Sequence, residues 1–284
     1  MKKRLLHLQR LSILSGVQKF SLLLLDGLDP DEYEIYVACI PGERFEEEVR
    51  KRGWKFIPVP VFSRSISLAD LYTFFQLLVI FRTYRFDIVH TNSSKPGILG
   101  RLAAKVTGVP MIIHTAHGTA FQEDQNICLK TIYKLFERCG NALSNAVVFV
   151  NNTDRERCIN LGIVKPEIAH TIYNAIPKIE DIHFPIPQPK SAQDAEVVFG
   201  STIRFSDQKN VISLVKAACK ACLKSHKIKF IILGDGEHYS LCKSIVKSFM
   251  LEERVLLPGW ETDVTKWLPL RSEERRVGKE CRSR

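Results

Sequence analysis

The chain lacks most of the short signatures that assign a function on first reading. No apolar run reaches the ~20 residues a membrane-spanning helix needs. The longest, residues 68–81, is broken by Asp70, Thr73 and Gln76, and is expected to form a buried or half-buried helix. Met1-Lys-Lys-Arg4 followed by Leu5-Leu-His-Leu8 is too short an apolar stretch for a secretory signal. No G-x-G-x-x-G is present, which removes the dinucleotide fingerprint. Cys219-x-x-Cys222 has no second cysteine pair to complete four zinc ligands, and two small core residues of one helix are expected there. The remaining cysteines are scattered, and without an export signal they point to a reducing cytoplasm. Residues 1–270 hold no basic cluster interleaved with aromatics, which argues against a nucleic-acid partner. There is no short tandem repeat.

What is present is a chain of 284 residues, enough for two ordinary domains, with 45% apolar and 25% charged residues. The net charge of +10 favours anionic partners such as phosphates or an acidic membrane face. Arg82 and Arg85 border the 68–81 stretch, so peripheral contact with a membrane is one of the expectations. The last fourteen residues, Arg271 to Arg284, resemble the translation of a sequencing adapter and are expected to be foreign to the protein. The chain is therefore expected to be a fragment, cut at about Leu270 inside a second domain.

Short β-rich runs alternate with helical patterns. Strands are expected at 4–8, 35–40, 55–59, 87–91, 111–115, 146–150 and 168–173. Helices are expected at 17–28, 43–52, 70–84, 97–107, 129–139 and 153–161. Such alternation implies βαβ units and a parallel sheet. Pro177, Pro185, Pro187 and Pro189 then mark a linker over 177–195. Alternation restarts with strands at 197–201, 229–233 and 254–257 and helices at 210–225 and 238–250. The domains are thus 1–176, 196–270 and the tail 271–284, the second domain holding three strands where doubly wound domains have five or six.

Parallel α/β domains bind ligands at the carboxyl ends of strands. The candidates there begin with the 12–16 loop containing Ser15 and Gly16, at a helix N-terminus that favours an anion. His90-Thr-Asn-Ser-Ser-Lys-Pro-Gly97 follows a strand, and so does His114-Thr-Ala-His-Gly118. A histidine followed by glycine at such a point can hold a substrate hydroxyl. In the second domain Arg204 and Lys209 flank a turn before a helix, a pairing that suits a diphosphate. Gly234-Asp235-Gly236 ends the next strand, as a tight turn or a close approach to ligand.

Taken in order, these segments resemble family 4 glycosyltransferases of the GT-B fold, of the kind that build capsular or lipopolysaccharide repeat units. The resemblance runs from about Lys3 to Leu270. Its most specific part is Val89-His-Thr-Asn-Ser-Ser-Lys-Pro-Gly-Ile-Leu-Gly-Arg-Leu-Ala-Ala104 with His114 to Gly118. Tyr173-Asn-Ala-Ile176 matches the family's Tyr-Asn-Gly-Ile segment, and the Arg204/Lys209 pair and the Gly-Asp-Gly turn fall in the family's places. The implied fold is α/β, two Rossmann-like parallel-sheet domains facing a cleft, the second of them truncated.

The resemblance implies retaining, metal-independent sugar transfer from a nucleotide sugar, expected to be UDP-linked, with no other cofactor. The implied acceptor is a lipid-linked saccharide at the cytoplasmic membrane face. Arg204 and Lys209 would neutralise the donor diphosphate, with His117 on the donor sugar as the third catalytic residue. Substrate contacts are expected from Ser15, Gly16, Asn92, Ser93, Ser94, Lys95, Gly97, Gly118 and Asn174, and from Gly234, Asp235, Gly236 and Trp260. Two departures affect the acceptor side: Ser-Gly-Val-Gln replaces a Gly-Gly loop, and Asn92 stands where many relatives have histidine. The family's Glu-x7-Glu donor segment would lie beyond Leu270, so weak donor binding and little transfer are expected of this chain. A nucleotide-sugar epimerase on the same fold and a non-catalytic binding fragment are the alternatives.

Overall fold

A computed structural model describes residues 2–60, 62, 67–119, 121, 126–175, 197–261, 264 and 266–267. The expected linker and the adapter-like tail lie outside the described residues. The chain divides into two compact units, Met1–Ile176 and Pro177–Arg284.

The first unit alternates as its pattern predicts: β1 (Lys3–Leu8), α1 (Gly16–Asp26), β2 (Tyr33–Cys39), α2 (Arg44–Lys51), β3 (Lys55–Pro58) and α3 (Ala69–Tyr84). There follow β4 (Ile88–Asn92), α4 (Ser94–Val106), β5 (Met111–Ala116), α5 (Ile127–Ala142), β6 (Ala146–Phe149), α6 (Asn152–Asn160) and β7 (Ala169–Thr171). The seven strands form one sheet in the order β3-β2-β1-β4-β5-β6-β7, each neighbouring pair parallel. The chain winds outward from β1 to β3, then returns to place β4 on the other side of β1. The gap beyond the carboxyl ends of β1 and β4 is therefore the topological switch point.

Central parallel strands are covered on both faces, so they are apolar nearly throughout rather than alternating. In β1, Leu5 joins Leu22, Val37 and Phe45 beneath α1 and α2. Its neighbours Leu6 and Leu8 join Leu77, Phe81 and Ala104 beneath α3 and α4. Full burial of one such side chain contributes about 1.5–3 kcal/mol. Gly100 lets α4 settle on the sheet, since a Cβ there would lie 2.5 Å from Leu8 Cδ2 and 2.9 Å from Thr91 Cγ2.

Most boundaries shift by one to three residues from expectation, and two of the shifts have a local cause. α4 begins at Ser94, three residues before the predicted start. Pro96 sits in its first turn, where a backbone N–H has no partner within the helix in any case. β7 is three residues long, because Pro166–Ile168 forms a 3₁₀ turn in front of it.

The second unit contains β8 (Val197–Thr202), α7 (Val211–Lys224), β9 (Ile228–Leu233), α8 (Tyr239–Ser248) and β10 (Val255–Gly259). Its strands are parallel in the order β10-β9-β8. Phe205, Val215, Cys219, Cys222, Ile232 and Val255 form its core. Both cysteines of the C-x-x-C are free and buried, as two packed core residues should be.

Candidate active site

At the switch point the carboxyl ends of β1, β4 and β5 carry a buried polar cluster. Strand register puts His7 beside His90 and Thr91 beside His114. The His7 and His90 rings meet edge to face, with centroids 4.9 Å apart. His90 Nε2 lies 2.8 Å from Thr115 Oγ1, and His114 Nδ1 lies 2.9 Å from Thr91 Oγ1, so side chains fasten β4 to β5. Gly97 is required by this packing: a Cβ there would stand 2.6 Å from His114 Cε1.

Asn92, the last residue of β4, bridges two histidines. Its Nδ2 donates to His7 Nε2 at 3.1 Å. Its Oδ1 accepts from His117 Nε2 at 3.0 Å. His7 Nε2 also lies 2.9 Å from Ser21 Oγ of α1, so a polar chain crosses from α1 through β1 and β4 to the end of β5. With Nε2–H given to Asn92, neutral His117 has its acceptor at Nδ1. Phe20 holds the other side of the His117 ring, edge to face at 5.4 Å.

Burial sets the charge of the cluster. Desolvation lowers His117 to about 4 and, with repulsion from His117, lowers His90 to about 4. Burial pushes His7 and His114 well below the ordinary histidine range; Arg101 adds to the shift of His114, and neighbouring histidines add to both. All four rings are therefore neutral near pH 7 and serve as hydrogen-bonding groups.

The backbone at this point is strained. Ser93 follows Asn92 with φ 66° and ψ 160°, a region that non-glycine residues seldom occupy. The turn it makes begins α4, whose first residues are Ser94, Lys95, Pro96 and Gly97. Lys95 Nζ pairs with Asp70 of α3 at 2.7 Å. On the neighbouring strand, the loop from Gln9 to Ser15 is fastened by Gln18. Its Oε1 accepts from the Ser15 N–H at 3.2 Å and from the Ser15 hydroxyl, and its Nε2 donates to Leu11 O at 3.2 Å. Among the described residues nothing lies within 4 Å of where a Cβ of Gly16 or Gly118 would be, so both positions leave room there for a ligand.

The second unit carries its own set, again at strand ends. Arg204 and Lys209, both exposed, follow β8, and neither makes an ion pair among the described residues. The Asp207–Lys209 3₁₀ turn and the left-handed Asn210 lead into α7. Gly234 and Gly236 hold this loop from below. At φ 139°, a Cβ on Gly234 would lie 1.9 Å from Ile203 O; one on Gly236 would lie 2.5 Å from Phe205 O. Phe205 N donates to Asp235 O at 3.0 Å, and His238 N donates to Phe205 O at 3.1 Å. His238 Nε2 adds a contact to Asp207 Oδ1 at 2.7 Å. With Glu237 these residues are the described cluster whose ligand atoms lie within 4.8 Å of one another. The His238–Asp207 hydrogen bond already gives two of them a structural role.

Of the expected residues, Ser15, Gly16, Asn92 to Lys95, Gly97, His117 and Gly118 gather at the ends of β1, β4 and β5. Arg204, Lys209 and Gly234 to Gly236 gather at the ends of β8 and β9. Trp260, exposed after β10, adjoins the second set, since Gly259 O accepts from Gly234 N at 2.8 Å, whereas Asn174 is exposed after β7, away from the ends of β1 and β4. The sequence reading did not single out His7, Ser21 or Gln18, which support the first set.

The family model described as Glycosyltransferase Family 4 matches residues 14–178. A UDP-Gal:alpha-D-GlcNAc-diphosphoundecaprenol alpha-1,3-galactosyltransferase of Escherichia coli is 31% identical over 277 residues, covering 93% of this chain and 70% of that protein. The Anabaena protein HepE, solved with UDP and glucose, superposes with a TM-score of 0.71 at 16% identity, over 94% of this chain and 72% of HepE. A UDP-N-acetylglucosamine 2-epimerase from Rickettsia bellii shares the fold, with a TM-score of 0.61 at 12% identity, over 95% of this chain and 72% of its own. The architecture is that of GT-B glycosyltransferases. The chain belongs to glycosyltransferase family 4 and is a glycosyltransferase of polysaccharide biosynthesis.

Proposed function

We propose that the chain's two sets of residues serve retaining, metal-independent transfer of a sugar from a UDP-linked donor to a lipid-linked saccharide. The observation that carries this reading is the Arg204/Lys209 pair, two exposed cations on a loop clamped at the N-terminal side of α7. Breaking the bond from the sugar C1 to the donor phosphate leaves negative charge on that phosphate. Two cations and the amides of a helix N-terminus stabilise it as it forms, which is the task a divalent metal performs elsewhere. His117 offers a ring nitrogen to a sugar hydroxyl, and Asn92 orients that ring. Neutral at physiological pH, His117 positions the donor sugar without adding charge. The Escherichia coli relative's name gives UDP-galactose as the first donor to test, with a GlcNAc-diphospholipid as acceptor.

An epimerase on the same fold would need acid/base carboxylates at its centre. Among the described residues, the buried polar side chains at the ends of β1, β4 and β5 are histidine, threonine, asparagine, glutamine and serine, without an aspartate or glutamate. That composition favours transfer.

The test is galactose transfer from UDP-galactose with excess EDTA, with the anomeric configuration of the product read by NMR. Transfer that persists with retention supports the reading; loss with EDTA or an inverted product overturns it. Arg204→Ala with Lys209→Ala is expected to lower kcat/KM by well over tenfold, more than about 1.4 kcal/mol of transition-state stabilisation. A smaller loss would place the diphosphate elsewhere.

A further inference from the structure

The loop that carries Arg204 and Lys209 has an acid between them. Asp207 opens the 3₁₀ turn that ends at Lys209, and its side chain is exposed. A carboxylate left free at that place attracts the same cations and repels incoming phosphates. Among the described residues, however, neither cation pairs with Asp207. Its carboxylate meets His238 instead.

His238 stands at the start of α8, directly after Gly234-Asp-Gly236 and Glu237. It is held to the loop after β8 at two points. Its backbone N–H donates to Phe205 O at 3.1 Å. Its ring Nε2 lies 2.7 Å from Asp207 Oδ1. A carboxylate only accepts, so Nε2 carries the proton and donates. Glu237 Oε1 is 4.0 Å from the same nitrogen, beyond hydrogen-bond reach, so Asp207 is the acceptor. The turn's backbone bonds are its own: Lys209 N donates to Ser206 O at 3.1 Å, and Asn210 N to Asp207 O at 2.9 Å. The His238 ring adds a tie through side chains to the neighbouring loop.

We propose that His238 is a positioning residue for donor binding: its bond to Asp207 clips the turn carrying Lys209 to the Gly-Asp-Gly loop and holds the carboxylate off the two cations. The inference rests on the reading of Arg204 and Lys209 as the donor-diphosphate pair.

The test is a double-mutant cycle on the whole chain, read as UDP affinity by calorimetry in EDTA. H238A is expected to weaken UDP by roughly fivefold, about the net worth of one hydrogen bond. In a D207A background, where the ring has lost its acceptor, H238A should change affinity by less than about twofold. H238Q keeps a side-chain N–H for Asp207 and should restore most of the affinity. The bond from the His238 backbone to Phe205 survives each of these changes, and unchanged thermal melting would show that the fold is kept. Amide exchange at Lys209 and Asn210, read without UDP, is expected to quicken in H238A and in D207A. Unchanged exchange, or equal weakening of UDP in both backgrounds, would overturn the proposal. So would parent affinity that falls when EDTA is added, because Asp207, Glu237 and His238, whose ligand atoms lie within 4.8 Å of one another, would then be holding a cation. A parent that does not bind UDP, or binding that R204A/K209A leaves unaltered, fails the donor reading and with it the purpose of the clip. Quickened exchange would still show the clip itself, so the two failures are distinct.

Discussion

A single residue, Ser93, shows how the site constrains the chain. Its φ of 66° with ψ 160° costs a residue bearing a Cβ on the order of 1–3 kcal/mol, and glycine adopts it readily. The strain turns the chain from β4 into α4 within one residue and keeps the Asn92 amide between His7 and His117. Ser93→Gly is expected to raise stability by about 1 kcal/mol, read as a higher urea midpoint at unchanged slope. The same change should lower transfer, because it frees the turn that aims Asn92 and His117. A Ser93→Gly protein that is both less stable and fully active would show that the turn has no such function.

At the scale of elements, the glycines decide how closely helices and loops approach the strands. Gly100→Ala would force a Cβ into Leu8 and Thr91, and should cost about 1–3 kcal/mol by denaturant titration. Gly234→Ala is more severe, since Ile203 O occupies the position of the new Cβ and the backbone is left-handed. It should shift the loop that carries Arg204 and Lys209 and weaken binding of UDP, measured by calorimetry, along with stability. Elements of this kind were largely legible in the sequence, because alternation of apolar runs with amphipathic patterns is a local property. The start of α4 lies three residues before the expected one at Gly97, because a proline is accommodated in a helix's first turn. In the structure Pro96 is a first-turn residue, and Gly97 is a contact with His114. The histidine cluster was less legible. His7 lies in an apolar strand with nothing nearby in sequence to mark it, and it meets His90 only through strand register. Asn92 read as a departure from a family pattern, whereas its place between two rings gives it a positioning role. Arg204 and Lys209 could be found because cations around a turn before a helix are a local signal of anion binding.

At the scale of the whole molecule, the four histidines with burial-lowered pKa values all belong to the first unit. Unfolded, each returns to an ordinary value of about 6.5. Between that value and about 4, the position of His90 and His117 when folded, the unfolded state holds more protons than the folded one. Stability of the first unit is then fully present above the unfolded pKa and falls as pH drops through this window. The slope is at most about 1.4 kcal/mol per pH unit for each histidine. Hydrogen exchange, corrected for intrinsic rates, should show protection in β1, β4 and β5 falling between pH 7 and pH 5, with a smaller change in β8 and β9. His90→Gln, which can keep a hydrogen bond to Thr115 without a titrating ring, should flatten part of the first unit's slope. Parallel loss of protection in both units, unaltered by His90→Gln, would mean that other groups set the acid limit. The neutrality of the cluster would then be a consequence of burial with no bearing on when the unit opens.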